Sequence, residues 1–187
     1  NILKEKNKFK LIINIGKRKT YFYTRNNFEN NLMNILAAIT AMSLYFEVSK
    51  LDKNIFLNFK TPSGRGDTSK IKINEKNIFL VDESYNSNPL SLKSAIKNFE
   101  KIKVKNSKKH LILGDMLELG KHSKNLHASI SNTINKSSIK NVHIFGKDIH
   151  ITFKNIKKSK KGQILQKKSH IIDLIKNNIN NNDYLMI

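Results

Sequence analysis

Three short stretches of this chain concentrate side chains that could bind a ligand, and each follows an apolar run that predicts a buried strand. Residues 82–89 carry two carboxylates, a tyrosine and two amides, residues 114–120 carry two more carboxylates between glycines, and Gly146-Lys147-Asp148 forms the third stretch. Carboxylates and amides can hydrogen-bond a polar ligand. The candidate side chains in the first two stretches are Asp82, Glu83, Tyr85, Asn86, Asn88, Asp115 and Glu118.

The elements around these stretches predict that they lie at the edge of a sheet. Ile78 to Val81 is typical of a buried parallel strand, and Leu92 to Ile102 has the three-and-four spacing of an amphipathic helix. In open α/β sheets, ligands bind outside the carboxyl ends of the strands. Three polar loops in succession therefore predict a binding crevice. For any single loop, a plain turn followed by a capped helix is the alternative.

Alternating strands and helices after residue 61 indicate an α/β fold, a Rossmann-like and mostly parallel sheet with flanking helices. The predicted strands are 71–73, 78–81, 110–113, 142–145 and 184–187, and the predicted helices are 90–103, 126–134 and 171–179.

The first third of the chain has a different pattern. Residues 11–15 and 20–24 predict a hairpin, a helix follows from Asn30, and residues 51–59 suggest a short second helix. The stretch 61–68 contains one of the two prolines and two of the seven glycines, which favours a domain boundary. We therefore expect two domains, 1–60 and 61–187.

The composition limits the classes of partner. The formal net charge is +21, but the lysines are scattered among asparagines and isoleucines along the whole chain, as an AT-rich coding bias produces. The densest run, Lys157 to Lys161, has no aromatic residue to stack on a base, so we do not expect nucleic acid as a partner. A basic α/β module that binds nucleic acid or another anionic partner remains the alternative function. Without cysteines or a membrane-spanning apolar run, a cytoplasmic location is compatible.

The sequence does not match the motifs of several other enzyme classes, because the spacing of the required residues differs. Gly114 to Lys121 resembles a phosphate loop, but its second glycine is one place late and His122 stands where a magnesium-binding hydroxyl is required. The six histidines have no metal-ligand spacing, and we expect His122 and His127 at the surface or on a helix face. No G-x-G-x-x-G follows a strand, which counts against other Rossmann-like nucleotide enzymes.

Four motifs, in order, resemble the Mur ligases. They are an N-x-x-N-x-x-A-A helix at 31–38, a P-x-G-R link at 62–65, a tyrosine-asparagine loop at 82–89, and GDMLELG at 114–120 with Ser123 and His127 beyond. Within that family, the last two resemble the members that add D-alanyl-D-alanine to UDP-N-acetylmuramoyl-tripeptide in peptidoglycan precursor synthesis. Residues 1–60 would then end the central ATP-binding domain, and 61–187 would be most of the C-terminal ligase domain.

The resemblance implies an ATP-dependent ligase in which the peptide carboxylate is phosphorylated and the dipeptide amine attacks the acyl phosphate. The substrates would be the UDP-linked tripeptide and D-alanyl-D-alanine, and the full-length enzyme would be a cytoplasmic monomer using ATP and Mg²⁺. By position, Asn31 and Asn34 would lie beside adenine, Arg65 near the phosphates, and Asp82 or Glu83 at the ribose, with Glu83 preferred. Substrate-cleft roles would fall to Tyr85, Asn86, Asn88, Asp115 and Glu118; for the last two, capping and loop ordering is an equal alternative.

The chain also departs from the family pattern. Asn30 stands where the family has histidine before the asparagine helix. The family's phosphate loop, its magnesium-holding lysine and its UDP-binding domain have no counterpart among these residues. The chain begins with Asn1 and stops in the apolar run Tyr184 to Ile187. We therefore expect part of a longer enzyme, inactive by itself because phosphoryl transfer needs a phosphate cradle and a metal.

Overall fold

The computed structural model describes residues 1–25, 29–59 and 62–187, and the side chains of Glu29 and Asn30 lie outside that description. Contacts divide the chain into two compact units, the N-terminal unit Asn1–Thr61 and the C-terminal unit Pro62–Ile187. The predicted boundary between residues 60 and 61 falls on two residues outside the described ranges. The assignment of the two units to a central and a C-terminal ligase domain stays a prediction.

The N-terminal unit contains an antiparallel sheet of β1 (Ile2–Glu5), β2 (Lys8–Ile15) and β3 (Arg18–Thr24), and the helix α1 (Glu29–Met42). The predicted hairpin is confirmed. Its strands are joined by a tight turn at Gly16, whose φ of 58° suits a glycine. Apolar side chains from the sheet, the helix and a following turn form its core: Leu11, Phe22, Ile35, Ile39 and Val48.

The predicted helix at 51–59 is wrong. These residues form consecutive turns, in which backbone hydrogen bonds join positions three apart, such as Ile55 N to Asp52 O at 3.2 Å. The Asp52 carboxylate also accepts from the backbone N–H of Asn54 at 2.9 Å. Short polar side chains that bond nearby backbone groups in this way compete with helical hydrogen bonding.

The C-terminal unit contains a six-stranded sheet with the order β4-β5-β9-β6-β7-β8. β4 pairs antiparallel with β5, and the other neighbours are parallel. β9, the last strand in sequence, therefore lies inside the sheet between β5 and β6. The strands are β4 (Asp67–Ile73), β5 (Lys76–Asp82), β6 (Lys109–Gly114), β7 (Asn141–Phe145), β8 (Lys161–Leu165) and β9 (Tyr184–Met186).

Helices cover both faces of this sheet: α2 (Pro89–Lys101), α3 (Ser123–Lys136), α4 (His150–Asn155) and α5 (Lys168–Asn178). Leu111 and Leu113 of β6 pack with α2 and α3, while Ile112 between them packs with Leu174 and Ile175 of α5. Side chains alternate across a strand, so the two cores lie on opposite faces. The predicted α/β class with a mostly parallel sheet is confirmed.

Sequence reasoning missed β8 and α4. Both lie in a lysine-rich segment in which few apolar residues mark the strand or the helix. One lysine of the dense run, Lys160, is itself buried, and its ammonium donates to the backbone carbonyls of Ser137 and Ile139 at the end of α3. No helix among the described residues is long and apolar enough to cross a membrane.

Candidate functional site

The three polar stretches lie at one edge of the C-terminal sheet. β5 and β6 each pair in parallel with β9, and β7 pairs in parallel with β6. The carboxyl ends of β5, β6 and β7 therefore lie at the same edge. The loop after β5 holds the tyrosine-asparagine stretch, the loop after β6 holds residues 115–120, and the loop after β7 begins at Gly146. We refer to this edge as the rim.

A turn at Gly64 and Arg65 packs directly on the first rim loop. The Tyr85 N–H donates to the Gly64 carbonyl at 3.1 Å, and the Arg65 guanidinium carbon lies 4.5 Å from the centre of the Tyr85 ring. Gly64 has φ 78°, and a Cβ there would lie 2.9 Å from the backbone nitrogen of Tyr85. The Asp67 carboxylate fixes the turn by accepting from Gly64 N at 2.9 Å. These contacts hold an exposed guanidinium at the rim.

Three carboxylates lie beside this turn. Asp67 and Asp82 are paired across β4 and β5, and Glu83 follows at the end of β5. Burial, and then the charges of Asp82 and Asp67, raise the pKa of Glu83 to about 7. The Glu83 carboxylate lies so close to Gly66 that a Cβ there would be 2.9 Å from its Oε1. Among the residues that the structure describes, no group of three or more acidic, histidine or cysteine side chains could hold a metal ion.

The two candidate ribose-binding acids have different surroundings. Asp82 Oδ1 accepts from the N–H of Ser84 at 3.0 Å and from its hydroxyl at 2.6 Å. That oxygen is therefore already used within the loop. Among the described residues, no hydrogen bond joins the Glu83 carboxylate to its own loop. This carboxylate is half-buried and lies against the turn at Gly66.

Asn88 is the N-cap of α2. Its Oδ1 accepts from the N–H groups of Leu90 and Ser91, while the Ser91 hydroxyl accepts from Asn88 N, which completes a capping box. The geometry thus gives Asn88 a structural task. Tyr85 and Asn86 are exposed, and 65% of the Tyr85 surface is accessible.

Asp115 connects two of the rim loops. Its carboxylate accepts from the N–H of Lys147 and from that of Ile149, both at 2.8 Å, across more than thirty residues of sequence. Gly146 permits this approach, because a Cβ there would lie 2.5 Å from Asp115 Oδ1. Both oxygens are used, so the geometry favours the loop-ordering alternative for Asp115. Glu118 is exposed on the same loop, with φ 61°.

His127, which we expected at the surface or on a helix face, is completely buried on α3. Its Nε2 accepts from the N–H of Met116 at 3.0 Å, and its Nδ1 lies 2.8 Å from the Ser123 carbonyl, to which it donates. The Ser123 hydroxyl donates to Asp148 in the third rim loop at 2.5 Å. A signal was present in the sequence, because His127, Ile130 and Ile134 share the buried helical stripe.

A second buried polar group, which sequence reasoning missed, lies at the opposite end of the sheet. His143 Nε2 is 3.5 Å from His110 Nδ1, and His110 Nε2 is 3.3 Å from Asp183 Oδ2. Asp183 also accepts from Lys108 N at 2.7 Å. Burial lowers the pKa of both histidines, that of His143 to about 4. This group lies away from the rim and holds Asp183, the residue before β9, in place.

In the N-terminal unit, Asn31 and Asn34 both lie on α1. A separation of three residues places them on neighbouring turns of one helix face. Asn31 is buried at 6% exposure, and Asn34 is exposed.

The family described as "Mur ligase, glutamate ligase domain" matches residues 70–187, a range that contains all three rim loops. The chain belongs to the Mur ligase family. Members of this family are ATP-dependent ligases, and the predicted family is confirmed.

Curated relatives carry the name UDP-N-acetylmuramoyl-tripeptide–D-alanyl-D-alanine ligase. The relative from Buchnera aphidicola of Acyrthosiphon pisum is 43% identical over 72 residues, 38% of this chain and 15% of that protein. The Bacillus subtilis relative is 32% identical over 120 residues, 64% of this chain and 25% of that protein. The relative from Buchnera of Baizongia pistaciae is 30% identical over 164 residues, 84% of this chain and 32% of that protein. The chain thus spans a third or less of these relatives.

Solved structures share the fold. The MurF ligase of Thermotoga maritima, in complex with ADP, superposes on 100% of this chain and 41% of that chain, with a TM-score of 0.75 and 18% identity. A MurF structure from Acinetobacter baumannii superposes on 96% of this chain and 39% of that chain, with a TM-score of 0.72 and 18% identity.

Proposed function

We propose that this Mur ligase chain is part of an ATP-dependent enzyme that joins D-alanyl-D-alanine to UDP-N-acetylmuramoyl-tripeptide. The relatives named above support this specificity. The observation that carries the proposal is the Gly64-Arg65 turn held on Tyr85, at the same rim as the GDMLELG loop. The rim thus combines a fixed cation for a phosphorylated ligand with the motif of that subgroup.

For ATP, Arg65 is the candidate phosphate ligand. Its guanidinium lies over the Tyr85 ring and remains exposed, so its N–H groups are free to bind two phosphate oxygens at once. Glu83 is the better candidate for the ribose hydroxyls, since Asp82 Oδ1 is occupied by Ser84. The ADP named in the Thermotoga structure supports nucleotide use by this fold.

Asn31 and Asn34 are the candidate adenine ligands of the N-terminal unit. A side-chain amide both donates and accepts, as the adenine edge does. Asn34 is exposed and available, whereas the burial of Asn31 leaves it less of its surface for a ligand.

Mg²⁺ is the expected partner of ATP in phosphoryl transfer. The described residues form no cluster for a metal ion, and burial keeps the pKa of Glu83 near 7, which disfavours a permanently charged ligand there. The residues present therefore do not fit a magnesium site, and we assign no magnesium ligand and no metal-dependent step to this chain.

A cytoplasmic, monomeric full-length enzyme is part of the proposal. The absence of cysteine is compatible with a reducing compartment. The substrate cleft would include the exposed Tyr85 and Asn86, with Asn88 and Asp115 acting through the loops that they order.

The test uses the enzyme encoded by the complete reading frame and measures phosphate release with ATP, Mg²⁺, UDP-N-acetylmuramoyl-tripeptide and D-alanyl-D-alanine. We expect release that requires every component and collapses in Arg65→Ala or Asn31→Ala. Release that does not depend on the dipeptide would contradict the proposal. Absence of release together with salt-dependent retention on DNA would favour the basic binding module instead.

A further inference from the structure

The end of the C-terminal sheet opposite the rim is strongly basic. Three segments lead into neighbouring strands there: residues 101–108 precede β6, residues 136–140 precede β7, and residues 157–161 reach the start of β8. Ten of the eighteen residues in these segments are lysines, and none is acidic. The rim loops 82–88, 114–122 and 146–149 contain two lysines and five acids. We call the three basic segments the basal edge.

The fold brings together lysines that are far apart in the sequence. β6, β7 and β8 are consecutive neighbours in the sheet, and adjacent strands lie about 4.8 Å apart, so the three segments lie side by side. Burial and then the charge of Lys157 lower the pKa of Lys160, and the charge of Lys140 acts in the same direction. An AT-rich coding bias accounts for the number of lysines, but not for their collection at the end of the sheet that lacks the acids.

One lysine of the basal edge has a structural role. The Lys160 ammonium binds two backbone carbonyls at the end of α3, where a cation is favourable. Lys109, the residue that follows segment 101–108, binds the Glu100 carbonyl in the last turn of α2 in the same way, at 2.6 Å. The other nine lysines of the basal edge are exposed.

The acids near the basal edge do not neutralise these nine lysines. The Glu100 carboxylate accepts from the N–H of Ser138 at 2.7 Å, and Asp183 is buried against His110. In the part of the chain that the structure describes, none of the nine lysines forms an ion pair. Their positive charge is therefore directed to the solvent, where it can attract an anionic partner.

The chemistry of the basal edge fits a flat anionic surface better than nucleic acid. Its basic residues are all lysines, which are compact point charges, whereas arginine has the bidentate geometry used to recognise nucleic acid. None of the three segments contains an aromatic residue on which a base could stack. Clusters of about four to eight basic residues bind anionic lipid headgroups through charge.

We propose that the basal edge binds the surface of an anionic lipid bilayer. The headgroup phosphates attract the nine exposed lysines, and the rim, at the other end of the sheet, faces away from the lipid. This surface lies outside the candidate ligand site. The inference does not depend on the proposed ligase function, because binding to lipid is measured without substrates.

The test is co-sedimentation of the full-length enzyme with lipid vesicles. One kind of vesicle contains phosphatidylcholine and phosphatidylglycerol in equal parts, and the other contains phosphatidylcholine alone. We expect binding to the anionic vesicles only. This binding should be lost when the salt concentration rises from about 0.1 M to about 1 M, because the screening length falls from about 10 Å to about 3 Å.

Two sets of substitutions remove equal charge from opposite ends of the sheet. The basal set is Lys103→Gln, Lys105→Gln, Lys140→Gln and Lys158→Gln, and the rim set is Lys121→Gln, Lys124→Gln, Lys167→Gln and Lys168→Gln. All eight side chains are exposed, so both variants should fold normally. The basal set should lower the vesicle partition coefficient at least about tenfold, since each lysine near the lipid contributes about fivefold. The rim set should lower it less than about threefold.

A third set replaces the same four basal lysines with arginine and keeps their charge. We expect this set to bind the anionic vesicles as the original enzyme does. Loss of binding in the arginine set would overturn the inference, because a change in fold or packing would then explain the effect of the glutamine set.

Other results would also overturn the inference. Equal losses in the basal and rim glutamine sets would show that net charge, not the basal edge, attracts the lipid. Binding to phosphatidylcholine alone, or no binding to either kind of vesicle, would exclude an electrostatic contact with anionic lipid. Tighter binding to duplex DNA than to anionic vesicles, with the same loss in the basal set, would assign the surface to nucleic acid.

Discussion

His143 Nε2 and His110 Nδ1 face each other across 3.5 Å in the core of the C-terminal unit, and their other partners fix the direction of the contact. His143 Nδ1 accepts from the N–H of Gln163 at 3.0 Å, so its proton is on Nε2 and points to His110. His110 must then donate from Nε2 to Asp183. Both rings are neutral in this arrangement, which connects β7, β6 and the residue before β9.

This arrangement predicts acid sensitivity. An unfolded histidine titrates near 6.5, whereas burial and the charge of His110 lower the pKa of His143 to about 4 in the folded protein. Between these two values the unfolded state binds more protons than the folded state. The contribution of His143 to stability is therefore fully present above about 6.5 and falls as the pH drops, by up to about 1.4 kcal/mol per pH unit. The pKa of His110 is also lowered, by burial, so it acts in the same direction. Urea midpoints across this range measure the slope.

His143→Asn tests the origin of that slope. The asparagine carbonyl can accept from Gln163 N but does not titrate, so the variant should be less stable at neutral pH and less sensitive to acid. His150→Asn, at an exposed position, should keep the original slope. An unchanged slope in His143→Asn would show that other groups cause it.

Glu83 should act in the opposite direction. Its pKa is raised to about 7, above that of an unfolded glutamate, so the folded state binds the extra proton. The stability that this raised pKa contributes is fully present below the pKa of an unfolded glutamate. It is lost as the pH rises through about 7. Glu83→Gln should therefore be more stable than the original chain at alkaline pH. Side-chain NMR titration measures the pKa directly.

Two variants separate the causes at Glu83. Asp67→Asn should lower the Glu83 pKa, because one of the repelling charges is removed. Glu75→Gln, in the exposed turn between β4 and β5, should leave it unchanged. A Glu83 that titrates at the ordinary value in the original chain would contradict its burial among acids.

Gly64→Ala should destabilise the rim turn. Its φ of 78° strains an alanine, and the new Cβ would lie 2.9 Å from the Cβ and backbone nitrogen of Tyr85. Gly120→Ala is the control, because φ is 52° there but no atom lies within 4 Å. We expect Gly64→Ala to cost at least about 1 kcal/mol more in unfolding free energy than the control. Equal costs would mean that the turn separates easily from Tyr85.

Lys160→Met should destabilise the chain although it removes one charge from its most basic run. Burial lowers the pKa of Lys160, and its ammonium binds two carbonyls at the end of α3 that would lose their partner. The expected cost is about 1–3 kcal/mol, measured by urea denaturation. Lys158→Met, at an exposed position in the same run, should change stability by less than about 0.5 kcal/mol. A similar effect of both changes would refute a structural role for Lys160.

Local patterns predicted much of the fold and the place of the candidate site. Apolar runs marked β5, β6 and β7, the three-and-four spacing marked α2, and the polar residues after each strand marked the rim. These signals are local because strand and helix periodicities, and the turn preferences of asparagine and glycine, act over a few residues. The four motifs at 31–38, 62–65, 82–89 and 114–120 are also short and local, and their resemblance to the Mur ligases predicted the family.

The chain's long-range pairings became visible only in the tertiary structure. The final strand enters the centre of the sheet, and Asp115 binds backbone N–H groups in the next loop. His127, expected at the surface or on a helix face, is buried on α3 and accepts from the N–H of Met116. The polarity of an aspartate, histidine or lysine is the same at the surface and in the core. Its role depends on which distant donors and acceptors the fold brings within about 3 Å, and no local pattern encodes that.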